Sequence, residues 1–326
     1  MTRTARRRWS REFEGEIDGI AIGETGPVFV HGYDPPAGGK WIDNVIPGKL
    51  GAYDRSSGNQ LWMSPCEVGY GRGFGSGLGD EGDVVVLGPS LKGHRIARMS
   101  CESGELIGAQ EIQAFDQALV HGDVCVTVTP ARVCGILTSP MMEVWSHSRG
   151  AERYHLASRD ADRALVVYSH ATSHKQGVLA LDVQSGEFRG RFLEPEYPVI
   201  HGLVTGDGVA IVLVGDRPAG GFRRKAARES LFLAAYSTRG EEAHALWRED
   251  VVNESVDELP DVAISLDSGK LYVTRSAMLE VRDALSGRLL GELTLPGLDE
   301  RVDWQVSQGA GLLAEETRAS VFELPA

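Results

Sequence analysis

Leu50-Gly-Ala-Tyr-Asp-Arg-Ser-Ser-Gly58, continued by Asn-Gln-Leu-Trp62, reads as two short strands joined by a turn. An alternating strand runs into Asp54, whose carboxylate can bond the local backbone; Gly58 supplies positive φ at the turn, and a second strand reaches Trp62. The same grammar returns in Ile96–Gly104, Val178–Gly186, Leu231–Gly240 and Leu279–Gly287, with Trp247 standing after its turn as Trp62 does. The interval from Gly104 to Gly186 is about twice the others, and Gly135–Trp145, with Pro140 near its turn, fills it as a degenerate unit.

Short β-branched runs give an independent count. Val28–Val30, Val84–Leu87, Val124–Val128, Ala164–Tyr168, Val209–Val214, Leu271–Thr274 and Leu312–Leu313 each follow a Gly/Asp turn, so each reads as a buried strand. A period of roughly 40 to 50 residues with several short strands is the signature of propeller blades. The last unit stops one strand short at Leu324, while Arg8–Phe13 begins the chain as an orphan strand whose Trp9 stands to Gly15 as Trp62 stands to Gly69. Pairing the two removes open sheet edges. The expectation is one all-β domain over 1–326, a seven-bladed β-propeller of four-stranded antiparallel blades whose last blade is closed by the N-terminal strand. Residues 1–5 are expected as a flexible tail, and 32–48 and 216–229 as insertions.

The Leu-x-Ala-x-Asp-x-x-Ser-Gly-x-x-x-Trp pattern of Leu50–Trp62, repeated in Leu179–Gly186, resembles the repeat of pyrroloquinoline-quinone-like propeller proteins. The resemblance covers most of the chain and is weak in the third and seventh units. The quinone-dependent dehydrogenases of that family are eight-bladed and exported, with vicinal cysteines and a calcium-bound cofactor. Cys66, Cys101, Cys125 and Cys134 include no adjacent pair. The resemblance therefore implies a non-enzymatic relative that uses the propeller as a docking platform.

Charge narrows the partners. With 33 basic and 46 acidic side chains the net charge is −13, which disfavours nucleic acid and anionic membranes as ligands. The basic cluster Arg3, Arg6, Arg7 and Arg8 reads as a solvated tail. The N-terminus has no apolar stretch of the signal-peptide kind, no run spans a bilayer, and the cysteines lack metal-finger spacing. A cytoplasmic protein with free thiols is expected.

Aligning the innermost strand of each unit brings Asp18, Asp116, His201, Asp261 and Asp303 into one register, with His155 as the fourth unit's member and Phe74 the poor match in the second. Such a ring would focus negative potential at a channel mouth, where a divalent cation such as Ca²⁺ or a basic peptide fits. The plain alternative is that Asp caps the preceding turn. The two insertions supply interface anchors of the aromatic and arginine kind, Tyr33 and Trp41 in the first, Phe222, Arg223 and Arg224 in the second.

Two further motifs carry less. Gly71–Gly79 alternates glycines but lacks the Gly-Lys-Ser/Thr ending of a phosphate loop, so close backbone approach explains it better. His170 and His174 have metal-pair spacing without a third ligand. The expected function is a non-catalytic scaffold for protein partners, such as a subunit of a bacterial complex, with no catalytic residues and no cofactor. The alternatives are a metal-dependent hydrolase or lyase built on the Asp/His ring, and a small-molecule sensor.

Overall fold

The computed structural model describes the chain except residues 1–2, 24, 35–45, 71–73, 91, 149–151, 161–162, 171–175, 193–197, 207, 217–229, 239–243, 252–261, 276–277, 296–302 and 325–326. The chain forms two compact units. One consists of Ala5–Ser148, Val183–Gly186 and Arg301–Ala326, the other of Met1–Thr4, Arg149–Asp182 and Glu187–Glu300.

The first unit holds four antiparallel sheets. In one of them Arg6–Glu12 pairs with Arg318–Glu323, which continues through Ala310–Ala314 to Asp303–Ser307. The next is an up-and-down sheet of Glu16–Ile22, Val28–Tyr33, Ile46–Tyr53 and Gln60–Tyr70. Residues 75–112 and 117–148 form two more of the same order. Alternation along the strands sorts side chains between two cores. Val28 and Val30 join Trp9, Tyr53, Leu312 and Val321 on one side, while Phe29 joins Leu50, Cys66, Val84 and Val86 on the other. Val84, Val85, Val86 and Leu87 are completely buried, each contributing about 1.5–3 kcal/mol relative to exposure. Arg98 enters this interior only because Asp83 and Glu81 each accept from it at 2.6 Å.

The other unit holds the sheets of residues 152–192 and 198–251 and a third built on 262–294. In that third sheet Arg3 and Thr4 add alongside Leu293 and Thr294 as a parallel fifth strand. This corrects the expectation of seven four-stranded antiparallel blades: six sheets are of that kind, not seven, and the remaining sheet is five-stranded and mixed. The reason is local. The outer strand Leu289–Thr294 offers an unpaired edge, and two extended residues suffice to occupy it, too few to leave a period in the sequence.

The repeat has a packing reason beyond its turns. Gly58, Gly104, Gly186 and Gly287 have φ of 73°, 72°, 69° and 71°, which only glycine adopts without strain. Each also lies under an indole: Trp9, Trp62, Trp145 and Trp247 sit where a Cβ on the respective glycine would come within 2.7 Å of the ring. The indole N–H then donates to the same turn's backbone, to the carbonyls of Arg55, Cys101, Val183 and Ala284 at 3.1, 3.0, 2.8 and 2.8 Å. The turns are locked from within as well. Asp54 Oδ1 accepts from the amides of Ser56 and Ser57 at 3.0 and 2.7 Å, and the serine hydroxyls and amides hold its carboxyl at about 2.

Candidate functional site

The strand Val28–Tyr33 has a functional group on each face. His31 points into one core. Two irregularities converge on it. A bulge between Ile17 and Gly19 leaves Asp18 outside the register and re-aims its carboxylate at His31 Nδ1. A second, between Pro47 and Gly48, brings the Val68 carbonyl to 3.2 Å from Nε2. Gly48 leaves the room this requires, since a Cβ there would overlap the imidazole. Phe74 stacks on the ring at 4.5 Å, in space left by Gly19.

Both ring nitrogens face atoms that only accept, so the arrangement selects the doubly protonated imidazolium. Burial opposes the charge, but the hydrogen bond to Asp18, that to Cys66 and the Asp18 charge outweigh it and raise His31 to about 9. Cys66, His31 and Asp18 have the composition of a nucleophilic triad. They cannot act as one: His31 is already protonated at neutral pH, its side chain is wholly buried, and Cys66 is 3% exposed. The cluster is a structural ion pair.

The other cysteines are equally poor nucleophiles. Burial, then the nearby Asp83 charge, pushes Cys101 up to about 11, and burial raises Cys134. Iodoacetamide at pH 7.5 is expected to label the folded protein at least about tenfold more slowly than the unfolded chain. Rapid native-state labelling of Cys66 would show that the trio is open after all.

The opposite face of the same strand borders a surface cleft of about 360 Å³. Val30 and Gly32 line it from this strand, Arg11, Glu12 and Phe13 from the N-terminal strand and the residue after it, Glu14 from the turn that follows, and Glu16 from the start of the next strand. Tyr53 forms its buried floor, edge-on to Phe13 at 5.4 Å. Tyr33 donates its hydroxyl to Glu16 at 2.5 Å, and Lys49 pairs with Asp34 at 2.5 Å.

The residues singled out in the sequence fall as follows. Asp18 lies beside His31, and Tyr33 lines the cleft with its ring buried. Asp116 is exposed, its amide donating to Val128 O at 2.9 Å. His201, Asp303, His155 and His170 lie on described strands, with their side chains outside the described set. Asp261, Trp41, Phe222, Arg223, Arg224 and His174 lie outside the described residues. Among the described residues no group of three or more His, Cys, Asp or Glu side chains is placed to hold a metal. Gly75 and Gly77 leave room for Ala118 and Val120. Neither His31 nor the cleft is among the residues expected from sequence. The alternation Val28-Phe-Val-His-Gly-Tyr33 was the available signal, and it carries the strand two residues past the point where the insertion was expected to begin.

No protein-family description matches the sequence, and no curated protein does. Solved structures do match. Hydrazine synthase of Kuenenia stuttgartiensis is similar at 11% identity over 96% of this chain and 96% of that one, with a TM-score of 0.68. The β-propeller domain of Cps50 (Swd1) from Myceliophteria thermophila is similar at 8% identity over 98% and 100%, with a TM-score of 0.66. At such identities the likeness shows the fold alone. Together with the repeated four-stranded sheets, it shows that this chain is an all-β β-propeller.

Proposed function

We propose that the protein is a non-catalytic β-propeller platform of the quinoprotein-like repeat type that holds a protein partner at the cleft beside Tyr33 and Tyr53, in the cytoplasm. The observation that carries this reading is the cleft itself, a recess with aromatic walls and a charged rim on a rigid sheet, as recognition sites are built. In the Asp18–His31–Cys66 trio, the histidine and the cysteine are buried. Sharing a fold with hydrazine synthase transfers no activity at 11% identity.

Met63 gives the test, since it lines the cleft from the outer strand and is 43% exposed. The tagged full-length protein, purified from the cells that make it, is expected to bring down a stoichiometric partner. Met63→Asp is expected to reduce that partner at least about tenfold, the loss typical of a central contact. A wild-type protein that emerges alone, or a partner indifferent to Met63→Asp, would overturn the reading.

A further inference from the structure

The cleft holds more negative charge than its own cations neutralise. Glu12, Glu14, Glu16 and Asp34 line it against Arg11 and Lys49. Lys49 is committed to Asp34. Arg11 lies 5.1 Å over the Tyr53 ring and reaches Gly58 O and Gln60 Oε1 at 3.5 and 3.4 Å. Glu12 leans toward Arg318 at 3.9 Å. Glu16 accepts the Tyr33 hydroxyl through Oε2, which leaves its charge uncompensated. Among the described residues no cation pairs with Glu14 or Glu16. Phe13, Ile17, Val30 and Met63 form an apolar wall beside Gln60, and the buried Tyr53 hydroxyl has no hydrogen-bond partner.

These features select a ligand with an apolar stem and a cationic head. A cavity of about 360 Å³ is at the small end of ligand sites and has room for one long side chain. Lysine and arginine have that anatomy, burying the stem and presenting the charge. An anionic head would meet Glu14 and Glu16 and the negative field of a chain with net charge −13.

We propose that this cleft receives a basic side chain of a protein partner, its stem along Phe13, Ile17 and Met63 and its cationic head between Glu14 and Glu16. The proposal rests on the platform reading and gives that partner its chemistry.

The test uses the full chain labelled at its methionine methyls, with Met63 as the reporter inside the cleft. The probe is acetyl-glycyl-arginyl-glycinamide, compared with its citrulline counterpart, which has the same shape and no charge. The arginine probe is expected to shift the Met63 signal saturably and to bind about tenfold more tightly than the citrulline probe, an advantage that shrinks as salt rises. The double variant Glu14→Gln/Glu16→Gln is expected to lose about tenfold in affinity for the arginine probe while keeping an acceptor for Tyr33. An unchanged probe-free methionine spectrum reports its fold, and Glu102→Gln, in an exposed turn, is expected to bind as wild type.

Equal binding of the two probes, or a double variant that binds like wild type, would overturn the proposal. No probe binding combined with a partner that still depends on Met63 would sink the basic side chain and spare the platform. Probe binding with no partner recovered from cells would sink the platform, and with it the partner, while sparing the cleft's selection of a cationic head.

Discussion

Raising the pH from 6.5 to 9.5 is expected to cost the folded protein on the order of 3 kcal/mol through His31 alone. In the unfolded chain this histidine titrates near 6.5, whereas in the fold it holds its proton to about 9. A group that binds its proton more tightly when folded stabilises fully below the unfolded value and loses that stabilisation as pH climbs through the folded one. The window closes before the buried phenols intervene, because burial raises Tyr53, and burial with the Asp267 charge raises Tyr272 to about 12. Asp18→Asn removes the carboxylate but keeps an acceptor at Nδ1, so the variant is expected to be much less stable than wild type near pH 6 and nearly equal to it at pH 9.5. Breaking a buried ion pair from one side costs about 3–5 kcal/mol, which bounds the difference at the acid end. Urea unfolding of both proteins across this range measures it. Parallel curves would show that His31 is not held as an imidazolium by Asp18.

That ion pair also marks where sequence reasoning ran out. The strands were legible because their information is local: β-branched runs such as Val84–Leu87, bounded by turn glycines, fold as strands wherever they stand. Asp18 was noticed, but as one member of a ring, since a regular register cannot reveal a bulge that turns its side chain sideways onto His31. The bulge needs Gly19 and Gly48 to make room, and neither glycine signals which ring it admits. The cleft was invisible for a different reason. Its lining comes from residues 11–17, 30, 32–34, 49, 53, 60 and 63, brought together by strand pairing and by packing of two sheets, so no single segment carries its pattern. The fifth strand at Arg3 and Thr4 carries too few residues for any period to show.

The repeat glycines are where a single methyl group is expected to do the most damage. Gly104→Ala is expected to destabilise the protein by about 3–5 kcal/mol, against about 1–2 kcal/mol for Gly82→Ala. The two share backbone geometry, with φ of 72° and 74°, so the strain of a left-handed alanine is common to both. They differ in what the new methyl meets. At Gly82 nothing lies within 4 Å, whereas at Gly104 the Cβ would fall 2.5 Å from the Trp62 indole and 2.7 Å from Ser64 Oγ. The indole must move, losing its 3.0 Å hydrogen bond to Cys101 O and its seat on the turn. A double-mutant cycle separates the contributions, because in a Trp62→Ala background the Gly104→Ala penalty should fall to that of Gly82→Ala. Equal losses at the two glycines, or a Gly104 penalty indifferent to Trp62, would mean that the repeat conserves its turn for φ alone. The expected result gives the Ser-Gly-x-x-x-Trp spacing of Ser57–Trp62 another meaning: Gly58 carries Trp9 and Trp62 rests on Gly104, so this one motif supplies a seat to an earlier tryptophan and a tryptophan to a later seat.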